Sequence, residues 1–542
     1  MKNITKSIFG IAAIAVCSLS VTSCLEETFP TDIATDEIVA QSAAATEALA
    51  NGMPAYAVQC WNAPSSHGFF GLPAEMIIRD VMTGDFHYIG ETGYSRYTAW
   101  AENKYLGDRY LNTQFHWNYH YGMIGAINGV IRGIDEETAT GAPLAYLGTA
   151  FAFRAMVYLD LARMFEFLPN EAFPDGLNDN GIDVTNLTVP IVKDDITEAE
   201  SQNNPRATRE EMYEFILSDL DKAEAYVVNL PNTGGQALPD LSCVYGLKAR
   251  LYMWVEDYEN AQKYARLAID NATVQPMSQS EGLSTSNGFN TASDFMWAML
   301  QNDQTYAVQT GIINWTSWAS NQTSFGYTGA GTGLYTCIDR SMYERISDTD
   351  WRKLMWVAPE DSPLYGKSEH VSSTAADFSK LLPAYTALKF RPNKGDADES
   401  TVGAASSIPL MRVEEMYFIE AEAAEHVSAG SGVELLTNFM TTYRDPQYTF
   451  SGSDAIEEII FQKRVELWGE GQSFYDYKRL DMGVTRGYRG TNWQDPLSLI
   501  NTTRRPAWMN LVIVKTEEAN NEALVGHNNP DPSDAYPVWT EE

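Results

Sequence analysis

Apolar residues fall along this chain in three patterns. The first is an unbroken run over residues 8–16, with Lys2 and Lys6 before it and small residues after it up to Cys24. The second is a stripe repeating about every 3.6 residues, which predicts helices over 36–51, 108–132 and 146–167. The last of these is closed by Leu168-Pro169, because a proline disfavours helical geometry in the residue before it. The third is the fading of any helical period between about 271 and 405, where Gly, Ser, Thr, Asn and aromatic residues dominate.

Between these stretches the punctuation is legible. Residues 170–206 are rich in Asp, Asn, Gly and Pro and read as loop. Thr208 then opens a helix with Glu211 three positions on, a capping box that satisfies orphan N–H groups from both sides. Residues 241–255 and 259–269 predict two helices joined by the turn Glu256-Asp257-Tyr258. Tyr258, Ala261, Tyr264, Ala265 and Ala268 resemble the second half of a tetratricopeptide repeat, in which alanines let helices approach and tyrosines fill the gaps. Further pairs are expected at 208–226, 408–426 with 433–443, and 455–480. Alone, none buries its apolar face; stacked, they form a solenoid-like wall. The expected fold is mainly α: a tetratricopeptide-like helical-repeat scaffold over 36–270 and 406–482. A loop-rich, irregular insertion over 271–405 carries the ligand site, all within one domain, 36–542.

The N-terminal run has the charged, apolar and small-residue zones of a secretory signal, and is too short to span a bilayer. Val21-Thr22-Ser23-Cys24 resembles the lipobox of bacterial lipoproteins, so 1–23 is expected to be a signal peptide and Cys24 the lipidation site. Residues 24–35 would be anchor and tether, held by acyl chains at about 0.8 kcal/mol per buried CH₂. No later stretch is expected to cross the membrane. Glu26 and Glu27 resemble the surface-export signal of Bacteroidota lipoproteins, which implies an outer-membrane protein facing the cell exterior.

Charge narrows the partners. The formal net charge is −35, and loss of Lys2 and Lys6 with the leader takes it to about −37, which excludes nucleic acid as a partner. Cys60, Cys243 and Cys337 are isolated, without a CxxC or disulfide framework, and are expected to be buried free thiols.

Three separated segments carry a family resemblance. They are Phe153-Arg154-Ala155 through Tyr158, Arg163, Phe165 and Pro169; Leu410-Met411-Arg412 followed by Glu415 and Ala421-Glu422-Ala423; and Arg464-Val465-Glu466-Leu467, Glu470-Gly471, Phe474, Asp476 and Arg479. Together they resemble the SusD/RagB family of outer-membrane nutrient-binding lipoproteins. Gln462 and Lys463 stand where that family shows Glu-Arg, Ser473 where Arg is common, and Glu166 where Gly is usual, which puts local stability rather than function in question. The motifs themselves read as Arg–Glu networks between packed helices. The resemblance implies a non-enzymatic protein without cofactor, which captures oligosaccharides and delivers them to a SusC-like TonB-dependent transporter. The same architecture binding peptides is the alternative, and a surface hydrolase a third reading.

Aromatics make up 12% of the chain and cluster. A sugar ring offers apolar C–H faces, so an exposed aromatic platform with flanking amides and carboxylates is the simplest glycan site. Trp315 and Trp318, in a stretch of Thr, Ser, Asn and Gly, are the first candidates, then Trp100, with Tyr327, Asp85 and Asn103 beside them. Catalytic readings lack a motif: there is no GxSxG, HExxH or P-loop, and no local pattern selects a glycosidase's carboxylate pair from 72 acidic residues. His116 and His120 share a helix face but lie in an aromatic run and read as structural. The loop 175–183 does not fit an EF-hand, so no metal site is expected and Ca²⁺ stays open there only as an adventitious ion.

Overall fold

A computed structural model describes residues 43–540 except 64, 91–96, 232–235 and 330. The signal peptide, Cys24, the tether, Glu26 and Glu27 lie outside the described residues. The scaffold helices are α1 Ala43–Ala57, α2 Leu72–Val81, α3 Leu111–Gly133, α4 Ala142–Phe165, α5 Arg209–Tyr226, α6 Leu241–Trp254, α7 Tyr258–Asn271, α8 Val413–Val427, α9 Ser431–Tyr443, α10 Ala455–Glu466 and α11 Ser473–Arg479. They pack in a row in which α1 and α3 meet α4, α4 meets α5, and α5 through α10 follow as neighbours.

Local chemistry sets the helix ends. Thr208 accepts from the Glu211 backbone while Glu211 accepts from Thr208, the expected box at the start of α5. Asp240 caps α6 and Asp257 caps α7, with Glu256 in the left-handed region between them at φ 62°. Ala261, Ala265 and Ala268 are fully buried against α6, and Tyr252 stacks on Tyr264 with ring centroids 5.4 Å apart. This geometry agrees with the repeat-like spacing of those residues.

By length and composition α4 could span a membrane, but 89% of its most apolar window is buried among neighbouring helices. Two expectations need correction. Residues 408–411 form strand β4 rather than the start of a helix, pairing antiparallel with β2 Trp297–Met299. The 455–480 helix is broken into α10 and α11 by Gly469 and Gly471, both with positive φ. A Cβ on Gly471 would lie 2.6 Å from the Met76 backbone of α2, so only glycine allows that approach. There the Gly471 N–H donates to Asp80 (3.0 Å) and its carbonyl accepts from Arg79 (2.9 Å).

Three of the motif residues, Arg412, Glu466 and Glu470, share one buried network. Glu466 accepts from Arg412, Arg444 and Arg352; Arg412 also reaches Glu414 and Glu470, Arg444 reaches Glu414, Arg352 reaches Asp350, and Lys389 reaches Glu470. Four cations thus face four carboxylates, all buried. Burial alone would raise the Glu466 carboxyl, but Arg444, Arg412 and Arg352 hold it well below the usual range. Of the departures, Gln462 joins this network by accepting from Arg352, while Lys463 pairs with Asp476 and Glu166 binds Arg209 and the Trp254 indole N–H outside it.

Between β2 and β4 the chain is irregular, with short helical turns and one further strand. This is β3 Tyr335–Ile338, antiparallel to β1 Phe86–Ile89, with Phe86 opposite Ile338.

Candidate functional site

The aromatic residues chosen from sequence come together, but as core. Trp315, Trp318, Trp100, Tyr327, Asp85 and Asn103 are all buried, so the exposure expected of them is not found. Trp318 stacks on Tyr327 (4.2 Å, 14°), meets Tyr97 edge-on at 5.0 Å, and donates from its indole to the His67 carbonyl (3.0 Å). Trp315 packs edge-on against Phe390 at 5.0 Å. The indole N–H of Trp100 donates to Nε2 of His116 (3.0 Å), which leaves Nδ1 to carry the proton and donate to Glu75 at 2.8 Å. His120 donates from Nδ1 to the His116 carbonyl, and since both ring nitrogens of His116 are engaged the two histidines do not offer a metal a pair of free nitrogens. Asp85 pairs with Arg464 and accepts from Tyr477 (3.0 Å). Asn103 is held in the left-handed region at φ 58°.

Their polar surroundings misled because those polar side chains are buried too. Asn314 caps the turn Trp315–Ala319 by accepting from Ser317, and Asn321 bridges Thr336 and the Ala387 carbonyl. In the loop 175–183, Asn178 accepts from the backbones of Asn180 and Ile182, and Asp183 accepts from Thr185. Among the described residues no group of three or more His, Cys, Asp or Glu is arranged to hold a metal. The three cysteines are free; Cys243 and Cys337 are buried, while Cys60 is only half-buried.

Open to solvent is a groove of about 750 Å³ where the end of α1 faces the segment after β2, one of several openings among the described residues. One wall carries Gln59, Cys60 and Asn62; the other carries Leu300, Asn302 and Tyr306. Tyr306 is 59% exposed and Leu300 38%. An Asn302–Thr305 turn, in which Asn302 accepts from the Gln304 backbone (2.9 Å), projects Tyr306 outward from the first position of a short helical turn. Behind the groove Trp61 is half-buried and rests on Phe69 and Phe115. Burial pushes the Cys60 thiol up to about 12, so it offers no nucleophile. An aromatic face, an aliphatic neighbour and amide side chains across a shallow opening suit a neutral polyhydroxyl ring better than a charged ligand. Tyr306 lies in the same aromatic-rich stretch as Trp315 and Trp318; Gln59, Asn62, Leu300 and Asn302 carry no local signal that marks them.

Two family profiles match in succession. One, described as starch-binding and associating with the outer membrane, matches residues 78–253; the other, described as the SusD family, matches residues 292–522. The chain belongs to the SusD/RagB family. SusD-like protein P2 of Formosa agariphila is 24% identical over 451 residues, covering 77% of this chain and 81% of its own. SusD-like protein P38 of the same organism is 21% identical over 68% of this chain and 72% of its own. A SusD-like carbohydrate binding protein from Bacteroides vulgatus superposes with a TM-score of 0.69 at 20% identity, covering 90% of this chain and 98% of its own. A SusD superfamily protein from Bacteroides thetaiotaomicron gives 0.66 at 18%, covering 89% and 98%. The SusD fold thus accounts for the scaffold, the insertion and the networked motifs together.

Proposed function

We propose that this SusD/RagB protein is a lipoprotein anchored through Cys24 on the outer face of the outer membrane. It captures oligosaccharides and passes them to a SusC-like TonB-dependent transporter, without catalysing a reaction itself. The observation that carries the reading is Tyr306, held outward over a groove with Leu300, Asn62 and Asn302 around it. A pyranose face stacked on the phenol ring, with hydroxyls bonded to the amides, is the contact this geometry favours. The outer-membrane, starch-binding description of the first profile and the carbohydrate-binding neighbour from Bacteroides vulgatus support the same class of ligand.

Calorimetric titration against plant, host and microbial oligosaccharides tests it. Binding to at least one glycan is expected, weakened about tenfold, or roughly 1–2 kcal/mol, by Tyr306→Ala with Tm unchanged. Binding to peptides and to no glycan would replace this reading with peptide uptake. Release of product from a polymer incubated with the pure protein would replace it with hydrolysis.

A further inference from the structure

Where α6, α8, α10 and α11 converge on the C-terminal end of α4, they enclose a second hollow of about 40 Å³. That is room for a few water-sized groups or one small ion. Its lining holds six basic side chains against four acidic ones, in a chain whose net charge is −35. Five of the six have carboxylate partners: Arg163 with Asp160, Arg209 with Glu166, Arg250 with Glu415, Lys463 with Asp476, and Arg479 with Glu422.

Lys478 is the exception. It is 3% exposed, its ammonium donates to the Met164 carbonyl (2.9 Å), and among the described residues no carboxylate lies within ion-pair distance of it. Nearby Glu166 has one oxygen on Arg209 and the other on Trp254. An unneutralised ammonium in such a place is costly, and the site answers it either by losing the proton or by gaining an anion. We propose that this hollow binds a small monovalent anion of halide size beside Lys478, admitted past the exposed Glu256 and half-buried Gln472 at its rim. Burial holds the Lys478 ammonium well below the ordinary lysine range, against the opposing pull of Glu166 and helped by Arg505, Arg206 and Arg209. An adjacent anion reverses that effect and gives the Lys478 ammonium the partner it lacks. The site is separate from the groove, so it stands whichever nutrient the groove takes.

The test compares thermal unfolding of the detergent-solubilised full chain in sodium chloride, bromide and methanesulfonate at equal ionic strength. Chloride and bromide should raise Tm saturably by about 1–3 °C over methanesulfonate, an anion too bulky for the hollow. Lys478→Met should abolish that difference whatever its own Tm. Bromide-soaked crystals of the unaltered protein should show an anomalous peak at hydrogen-bond distance from the Lys478 ammonium, which keeps the proposal testable if the variant does not fold. Equal Tm in all three salts, an unchanged halide response in Lys478→Met, or no peak in the hollow would each overturn it. A peak at molar bromide without any Tm response would mean an adventitious ion only, and would overturn it as well.

Discussion

Replacing Glu466 should be among the most damaging single changes in the protein, and the size of the effect follows from its partners. The carboxylate accepts from Arg412 (3.0 Å), from Arg444 twice (2.9 and 2.7 Å) and from Arg352 (3.1 Å). At roughly 1.5–3 kcal/mol for each charge-assisted bond, simple addition would exceed the stability of most domains. Addition is wrong here, because each arginine keeps another acid: Arg412 has Glu470 and Glu414, Arg444 has Glu414, and Arg352 has Asp350. What Glu466→Ala leaves behind is one uncompensated positive charge in a network of four cations and three acids. A broken buried pair of that kind costs about 3–5 kcal/mol. Glu466→Gln keeps the shape but leaves the same uncompensated charge and turns an NH₂ toward guanidinium donors, so it should also cost about 3–5 kcal/mol. Urea unfolding followed by tryptophan fluorescence measures both.

The same carboxylate predicts an acid limb. Its folded pKa lies below its unfolded value of roughly 4.3. Its contribution is therefore complete above about pH 4.3 and is lost as pH falls through that value toward the folded one. The difference in stability between the unaltered protein and Glu466→Gln should be constant from pH 8 to 5 and shrink below pH 4.3. A cost under about 1 kcal/mol for Glu466→Ala, or parallel acid limbs for the two proteins, would refute the network as described.

Trp318→Ala should lower unfolding free energy by about 3–5 kcal/mol, the cost of emptying a core aromatic site; a melting curve matching the unaltered protein would return Trp318 to the surface. Glu166→Gly, which restores the usual family residue, should destabilise by about 1–3 kcal/mol by stranding Arg209 and the Trp254 N–H, as read by the urea midpoint. Cys24→Ala should move the protein from the membrane fraction to the soluble one with an unchanged circular dichroism spectrum; retention in the membrane fraction would point to a different anchor.

The helical half of the fold was legible because its signals are local. Thr208 and Glu211 satisfy each other within one turn, and the alanines of α7 show their face at helical spacing. The motif residues were legible as a charged network since Arg412, Glu466 and Glu470 have few other reasons to sit in apolar helices. The break after α10 is not legible from Gly469 and Gly471 alone, because the requirement for glycine comes from Phe390 and Met76 far away in the chain. The aromatic site failed for a related reason. Around Trp315 and Trp318 a polar neighbourhood along the chain looked like solvent, yet Asn314, Ser317 and Asn321 are fully buried and hydrogen-bonded. Linear pattern cannot distinguish polar groups facing water from polar groups satisfied by backbone. Tyr306 faces water while Tyr327, a tyrosine of the same stretch, is buried, and nothing in their neighbours along the chain separates the two.

The misplaced tryptophans nonetheless bear on how the groove works. Its two walls come from segments more than two hundred residues apart, the end of α1 and the loop after β2, so its width depends on how firmly the irregular insertion is fixed to the scaffold. Three sets of contacts fix it. The pairing of β2 with β4 ties the groove's outer wall directly to the chain entering α8. Trp318, donating to His67 and accepting from Tyr88, joins the insertion to the segments flanking α2. Arg352 and Lys389, both within the insertion, are held by Glu466 and Glu470 of the scaffold. A flexible oligosaccharide loses conformational freedom when it binds, and a surface already fixed adds no ordering cost of its own. The tryptophans bury large rings at the seam between insertion and scaffold, and on the proposed reading the tyrosine at its edge is the ring left to meet a sugar.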